Sequence, residues 1–348
     1  YGLKINHVAE GFSFQSLTSG TSSDIIVSYD ADWSNPIDNA PYIYDFFSET
    51  LRSRRSFNQE FRLLSDPIGE ETGQNFAWVL GAYYLDLSER NDITDLGTYS
   101  NPFSPWPPYI QNVTGTRNYD SENKALFGTF DYLLSETLTL SFGMRWEDWE
   151  ANYNDTFGEE FSPSDQMLGG KISLIKDWSD EINLYASIGR GYKAGGFNLG
   201  TGFSENLYSD RLIYDPEYLW NYELGINRQF DDSSTNLDLV VFYSDRKDQQ
   251  VMASTQVDPN DPNTFTFLTQ NAASGENYGM ELSIKSKPTD SLSLFASFGL
   301  LKTKVNYLDL TNEQNGRAQA HAPEKSYALG MRWTPAEFIY VGLDVNGK

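Results

Sequence analysis

The sequence predicts an all-β chain that forms part of an antiparallel, membrane-spanning β-barrel. Apolar and small polar residues alternate with a period of two in one segment after another. Short polar connections alternate with long ones along the chain. Aromatic residues are abundant at 15%, whereas the apolar fraction of 39% lies below the ~45–50% of ordinary soluble domains. Such a composition is typical of a barrel with aromatic girdles and a polar lumen.

The alternating segments recur from residue 78 to the end of the chain, and in each of them the apolar residues share one face. The clearest sets are Trp78, Leu80, Ala82 and Tyr84; Leu138, Leu140, Phe142, Met144 and Trp146; Ile182, Leu184, Ala186 and Ile188; Trp220, Tyr222, Leu224 and Ile226; Leu237, Leu239, Val241 and Tyr243; Tyr278, Met280, Leu282 and Ile284; Leu292, Leu294, Ala296, Phe298 and Leu300; and Tyr327, Leu329, Met331 and Trp333. No segment of comparable length has helical spacing, and no window of about 18 apolar residues predicts a transmembrane helix. We expect roughly fourteen strands.

The connections predict the topology. Short turns are expected near residues 8–11, 66–73, 134–137, 177–181, 230–234, 286–290 and 334–336, and long connections near 30–52, 91–115, 154–165, 193–215, 252–273 and 307–322. Because the two kinds alternate, all short turns lie at one end and all long loops at the other. Outer-membrane barrels have this layout, with short periplasmic turns and long extracellular loops, whereas propellers and sandwiches do not separate their turns by length.

The two faces of each strand are expected to meet different surroundings. The residues predicted to face lipid are Leu138, Leu140, Phe142, Ile182, Leu184 and Ile188, and the polar residues predicted to face the lumen are Arg145, Glu147, Glu223 and Glu281. Aromatic residues near the ends of the apolar rows are expected at the membrane interfaces, namely Trp146, Trp178, Tyr192, Trp220, Trp333 and Tyr340.

Charge and residue counts exclude several functions. A net charge of −24 disfavours nucleic acid as a partner, since phosphate binding needs a basic surface. The absence of cysteine excludes disulfides and thiolate metal sites. With only His7 and His321, a histidine-based triad or zinc site is not expected, and we predict no enzyme activity, metal or cofactor. The enzymatic alternative, a barrel phospholipase, would need His321 beside a serine at the lumen rim.

Several stretches of the sequence resemble the barrel of TonB-dependent outer-membrane receptors. They are residues 56–65 (SFNQEFRLLS), 76–86 (FAWVLGAYYLD), 125–128 (ALFG), 140–146 (LSFGMRW), 189–198 (GRGYKAGGFN), 214–225 (YDPEYLWNYELG) and 277–282 (NYGMEL). The resemblance covers nearly the whole chain. It implies a barrel of about 22 strands with an N-terminal plug in its lumen. It also implies energy-coupled uptake of siderophores, haem, cobalamin or glycans, with the TonB–ExbB–ExbD complex acting through the plug.

The chain departs from the family pattern in three ways. We find no plug or TonB box, the strand count falls short, and the chain ends at Asn346-Gly347-Lys348 rather than on a strand with an aromatic residue. We therefore expect residues 1–348 to be one fragment of a barrel domain, embedded in the lipid and lipopolysaccharide of the bacterial outer membrane. The alternatives are a passive porin and a surface adhesin without transport.

The candidate ligand contacts lie in the long connections. Residues 101–109 combine prolines with Trp106 and Tyr109, whose rings would stack on a sugar, a catechol or a porphyrin. Trp33 and Tyr42 are further candidates. The alternative for residues 101–109 is a stiff, self-packed surface loop without a ligand. Arg190 and Lys193 lie in a glycine-rich run without the spacing of a phosphate loop. That run is expected to be a strand end, with lipopolysaccharide phosphate or an anionic ligand as possible partners of its cations.

Overall fold

The computed structural model describes residues 1–32, 35–69, 73–198, 212–230, 234–256, 265–307 and 316–348. Within these residues one antiparallel sheet of 15 strands dominates the fold. One two-residue strand pairs with a single neighbour, and the other fourteen strands form a continuous path. The predicted all-β class and the strand number are therefore confirmed. In the described part of the chain the two end strands do not pair with each other, as expected for part of a barrel.

The strands follow one another around the sheet nearly in chain order. Their bounds are β1 Gly2–Ala9, β2 Phe12–Asp30, β3 Ile43–Ser65, β4 Phe76–Ser100, β5 Tyr109–Ser135, β6 Leu138–Asp155, β7 Glu160–Phe161, β8 Ser164–Ser179, β9 Ile182–Lys193, β12 Glu217–Gln229, β13 Thr235–Gln256, β14 Phe265–Thr289, β15 Leu292–Tyr307, β16 Lys325–Ala336 and β17 Ile339–Gly347. Two short strands, β10 (Gly196–Phe197) and β11 (Ile213–Tyr214), form a separate pair. A four-residue helix, α1 (Pro36–Asn39), begins where the Asn35 side chain accepts the backbone N–H groups of Ile37 and Asp38.

The short connections are tight hairpins at one end of the sheet. Residues 10–11, 136–137, 180–181, 290–291 and 337–338 each join two neighbouring strands. In the first of them Gly11 has a φ of 84°, a conformation that glycine adopts without steric cost. The predicted up-and-down topology is therefore present.

The long connections are shorter than the sequence predicted. β4 continues to Ser100 and β5 starts at Tyr109, so the connection expected over 91–115 is reduced to 101–108. The polar residues in this region remain in a regular ladder, from Asn91↔Arg117 to Tyr99↔Tyr109. A strand that extends past the apolar band has polar residues on both faces. Its sequence therefore lacks the alternating apolar pattern that predicts a strand, and it resembles a loop.

Residues of equal height on neighbouring strands form continuous rows. One row on the apolar face runs Phe142, Ile172, Ile188, Tyr222, Tyr243 and Tyr278 across six consecutive strands. On β6 the apolar face extends over nine residues, from Leu138 to Trp146 (138–146), close to the ~9–11 residues that cross the hydrocarbon of a bilayer. We call this zone the apolar band.

The same face becomes charged above the apolar band, towards the long connections. The next rows place Tyr84 beside Lys124 and Asp148, and then Asp86 beside Glu122 and Glu150. A change from apolar to charged residues at one level across three strands is the pattern expected where hydrocarbon gives way to headgroups and water.

The most buried apolar side chains lie towards the long connections, on the face opposite the apolar band. They include Ala125, Ala151, Tyr153, Met167 and Val305. We call this the polar face, because within the band it carries residues such as Arg145, Glu147 and Lys171. Among the described residues, no helix has the length and apolar character needed to cross a membrane.

Candidate functional site

The sheet forks at the upper end of β9. The β8–β9 ladder stops at Gly170↔Arg190, whereas the β9–β12 ladder continues to Lys193↔Glu217. Above Arg190 the end of β9 therefore stays with β12 and leaves β8. Arg190 compensates part of this loss, because its Nη1 donates to the Leu168 carbonyl at 2.7 Å.

A hydrogen-bonded cluster lies on the polar face beside the fork. The Tyr192 hydroxyl donates to Glu147 Oε2 at 2.7 Å and accepts from Arg145 Nε at 3.2 Å. Arg145 Nε also lies 2.6 Å from Glu147 Oε2, and the Asn123 amide donates to the same carboxylate. Hydrogen bonds that involve an ionised group are roughly twice as strong as neutral ones. This cluster is therefore a strong local anchor for Tyr192.

The assignment of Tyr192 to an interfacial aromatic girdle was wrong. Strict alternation from Ile188 would place its side chain on the apolar face, but its ring lies over Gly169 on the polar face. A Cβ atom at Gly169 would lie 2.8 Å from Tyr192 Cε1 and 3.0 Å from the Arg190 carbonyl oxygen. Only glycine leaves room for the ring there. The alternation fails between Arg190 and Tyr192, where β9 leaves β8 while it stays paired with β12.

Beyond the fork the chain crosses the polar face. Gly196↔Tyr214 and Phe197↔Ile213 pair to form β10–β11. We call Gly195–Asn198 the crossing segment. The Phe197 ring packs at 5.2 Å from both Tyr153 and Phe161, and at 6.1 Å from Tyr119. Burial and the neighbouring Asp155 raise the pKa of Tyr153, which lies above the apolar band, so its hydroxyl stays a donor to Asp155 Oδ2 at 2.9 Å.

Amide side chains tie the crossing segment and β11 to β13 and β14. The Asn198 amide forms two bonds with the Thr269 backbone, at 2.9 Å to the carbonyl and 2.8 Å from the N–H. Asn271 likewise bonds both the N–H and the carbonyl of Asp215. Gln250 Nε2 donates to the Ala194 carbonyl at 2.8 Å and to the Asp215 carbonyl at 3.1 Å.

These contacts show that the polar face is concave. Phe197 and Asn198 are consecutive residues, yet one contacts β5, β6 and β7 and the other contacts β14. β8, β9, β12 and β13 lie between those strands in the sheet. A single step of the chain reaches both groups only if the polar face curves around it.

Asp165 at the start of β8 fixes the near end of the crossing segment. Its Oδ2 accepts the Gly195 N–H at 3.0 Å. Burial, reinforced by the charge of Asp215, raises the pKa of this carboxyl group, although the Gly195 bond acts in the opposite direction. Asp165 lies above the apolar band, next to the end of the sheet that carries the long connections.

The predicted aromatic contacts lie at the tips of β3, β4 and β5. Trp106 is 80% exposed and Tyr109 is 57% exposed. Tyr42 meets Phe103 edge to face at 6.2 Å, which joins the 31–42 connection to the 101–108 connection. Trp33 lies outside the described residues. Three of the four candidates thus lie on these neighbouring connections and strand ends, and their contact with a ligand stays a prediction.

The predicted cations have different surroundings. Arg190 lies 4.0 Å from the centre of the Tyr218 ring in addition to its bond to Leu168. Lys193 is exposed and stands opposite Glu217 in the ladder. Arg190 therefore has a structural role at the fork, and a further role for either cation in anion binding stays a prediction.

The residues predicted for the two faces are separated as the alternation requires. Leu140 and Phe142 share rows with Ala186 and Ile188, whose face also carries Leu138, Ile182 and Leu184. Arg145 and Glu147 lie on the polar face, as do Glu223, opposite Ser187, and Glu281, opposite Val240. That these faces meet lipid and lumen, respectively, stays a prediction.

Sequence reasoning missed Phe197, Asn198 and their partners. Their contacts join residues as distant as 198 and 269, which no local pattern reveals. A weak signal was present for the fork, since Gly169-Gly170 on β8 and Gly189 and Gly191 on β9 lie at the same height. In the described residues no group of three or more metal-binding side chains occurs.

Comparisons with known proteins agree with this architecture. A family described as "TonB dependent receptor-like, beta-barrel" matches residues 2–347. A probable TonB-dependent siderophore receptor, PiuA of Acinetobacter baumannii, is 20% identical over 219 residues, covering 61% of this chain and 27% of the relative. The pesticin receptor of Yersinia enterocolitica is 23% identical over 181 residues, covering 50% and 24%. The chain thus spans about a quarter of the length of these curated relatives.

Solved structures with the same fold include two outer-membrane receptors of this family. The ferric yersiniabactin uptake receptor FyuA from Yersinia pestis superposes with a TM-score of 0.73 at 16% identity, covering 99% of this chain and 48% of that one. The siderophore receptor PiuA from Acinetobacter baumannii superposes with a TM-score of 0.70 at 13% identity, covering 98% and 53%. At these identities the superpositions show the fold.

Proposed function

Because the chain belongs to the TonB-dependent receptor family and supplies its β-barrel, we propose that the intact protein imports a scarce solute across the bacterial outer membrane by energy-coupled transport. Family members are outer-membrane receptors for transport, not enzymes. The family match over residues 2–347 is the observation that carries this proposal. We further propose that residues 1–348 are one piece of the barrel domain.

The two faces of the sheet support a membrane-spanning wall. The apolar band would face lipid, including the acyl chains of lipopolysaccharide, and Arg145, Glu147, Glu223 and Glu281 would face the lumen. A spanning β-structure needs its backbone groups paired, and the sheet pairs each strand of its path with both neighbours, apart from the end strands β1 and β17. In the intact protein further strands would close those ends.

The solute would be captured at the end that carries the long connections. There the exposed aromatic tip, with Trp106 and Tyr109, stands above the sheet. The crossing segment narrows the space enclosed by the concave face. Exposed rigid rings give a large contact area at a small cost in entropy, so they suit capture of a rare ligand. Arg190 and Lys193 are secondary candidates for anionic groups.

The relatives favour an iron–siderophore complex as the solute. One of the solved structures is named a ferric yersiniabactin uptake receptor and another a siderophore receptor, which are statements about those proteins. We propose the same class here, ahead of haem, cobalamin and glycans. The energy would come from TonB–ExbB–ExbD acting on a plug domain of the intact protein.

Uptake measurements with and without a proton gradient test the proposal. A strain that lacks the gene, complemented with the intact protein, is supplied with radiolabelled ferric siderophores of several chemical classes. We expect accumulation of at least one complex, and we expect a protonophore to abolish it. Accumulation that persists without the gradient would indicate the porin alternative. Surface binding of cells to a matrix without any uptake would indicate an adhesin.

A further inference from the structure

We propose that Tyr192 is the positioning residue of the fork. Its hydroxyl, held between Arg145 and Glu147, keeps the end of β9 out of the β8 ladder and so places the crossing segment over the concave face. When this hold is lost, the end of β9 pairs with β8 instead. The significance of this arrangement for solute capture rests on the proposed function, whereas the arrangement itself does not.

The competing pairing follows from the register. The β8–β9 ladder ends at Gly170↔Arg190. Continued upward, the same register would pair Gly169 with Gly191, Leu168 with Tyr192 and Asp165 with Gly195. The upper ends of β8 and β9 could thus pair without any change of register. The fork therefore has two alternative arrangements, one with these ends separated and one with them paired.

Side chains replace two of the backbone bonds that β8 and β9 would form with each other above Arg190. Arg190 Nη1 takes the Leu168 carbonyl that Tyr192 would face, and Asp165 Oδ2 takes the Gly195 N–H. The fork begins where Gly169 and Gly191 would face each other. A glycine pair contributes no cross-strand side-chain contact, so separating the strands costs least at that point.

Tyr192 provides the remaining preference for the arrangement in which the end of β9 is separated from β8. Its ring occupies the space over Gly169, and its hydroxyl completes the bonds of a carboxylate that also binds Arg145 and Asn123. In the paired arrangement the ring would return to the apolar face and the hydroxyl would leave this cluster. Ring and hydroxyl therefore both differ between the two arrangements, and replacement by phenylalanine removes the hydroxyl alone.

Cysteine trapping measures which arrangement is present. The chain has no cysteine, so a pair introduced at Gln166 and Ala194 is specific. The extended register would place these residues directly opposite each other, at a Cα separation of about 5 Å that suits a disulfide. In the intact protein, in outer-membrane vesicles, we expect slow cross-linking with Tyr192 present. In a Tyr192→Phe background we expect it to be at least about tenfold faster, the effect of losing one charge-assisted hydrogen bond.

Two further variants sharpen the test. Tyr185→Phe is the matched control, because Tyr185 lies on the same strand and its ring rests against Gly225; we expect no change in cross-linking. Gly169→Ala keeps the Tyr192 hydroxyl but displaces its ring, and we expect it to accelerate cross-linking, which also keeps the test usable if Tyr192→Phe does not assemble. Equal rates in the Tyr192→Phe and parent backgrounds would overturn the proposal. A failure of solute uptake in the parent protein would instead refute the proposed function without affecting these rates.

Discussion

Replacing Phe197 with alanine should release the crossing segment from the wall formed by β5, β6 and β7. Phe197 packs against Tyr153 and Phe161 at 5.2 Å and against Tyr119 at 6.1 Å. Aromatic pairs contribute about 0.5–1.5 kcal/mol each beyond burial, and a Phe→Ala change in a full core costs about 3–5 kcal/mol. Since Phe197 is only half-buried, we expect a loss of about 2–3 kcal/mol in the free energy of docking.

Such a loss corresponds to a population of undocked molecules about 30- to 140-fold larger, because each 1.4 kcal/mol is about a factor of ten. Hydrogen exchange followed by mass spectrometry of the intact protein measures this directly. The amides of residues 195–198 and 213–215 should exchange faster by that factor, while those of β5 and β6 should not change. Local opening of this kind is detected without global unfolding.

Phe103→Ala is the matched control, since it removes an equal side chain that is 76% exposed in the 101–108 connection. It should leave exchange at residues 195–198 unchanged. Two results would refute the reasoning about Phe197. One is unchanged protection of the crossing segment in Phe197→Ala. The other is faster exchange spread evenly over β5 and β6, which would mean that Phe197 supports the wall rather than the segment.

Three further predictions concern the membrane face, the pH response and the aromatic tip. Leu140→Arg, within the apolar band, should lower the free energy of unfolding by about 2–4 kcal/mol in a urea titration in lipid, whereas Ser141→Arg on the polar face should change it little; equal losses would contradict the assignment of the faces. Because the pKa of Asp165 is raised, its charged form disfavours docking; protection of residues 195–198 should therefore rise as the pH falls from about 7 to about 4, and Asp165→Asn should remove this dependence. Trp106→Ala should reduce solute affinity about tenfold without changing stability, and an equal loss of affinity in Phe338→Ala, which alters an exposed residue at the opposite end of the sheet, would argue against a specific contact.

The strands and their faces could be predicted because alternation is a local property. Each apolar row needs only residues two apart in sequence, and every row predicted on β6 and β9 up to Ile188 lies on the predicted face. The position of Tyr192 on the polar face could not be predicted, because it depends on contacts with Arg145 and Glu147, which lie more than forty residues earlier in the chain.

The distance by which the strands extend past the apolar band could not be predicted from the sequence either. β4 and β5 continue in a polar ladder to Ser100 and from Tyr109, and nothing in a polar alternating stretch distinguishes a strand from a loop. Pairing with a neighbour decides between the two, and the neighbour is not visible in the local sequence. The crossing segment was missed for the same reason, since Asn198 finds its partner at Thr269.

Neutral amide side chains connect this part of the chain to β13 and β14. Asn198 of the crossing segment bonds Thr269, Gln250 bonds Ala194 just before the segment, and Asn271 bonds Asp215 just after β11. Ion pairs exposed to solvent weaken as salt rises, because mobile ions screen them over about 10 Å at 0.1 M ionic strength. The amide side chains of Asn and Gln carry no net charge and do not titrate in the physiological range, so their hydrogen bonds are not subject to this screening. The bonds formed by these amides therefore depend little on salt, whereas the contact between Asp165 and the Gly195 N–H responds to pH.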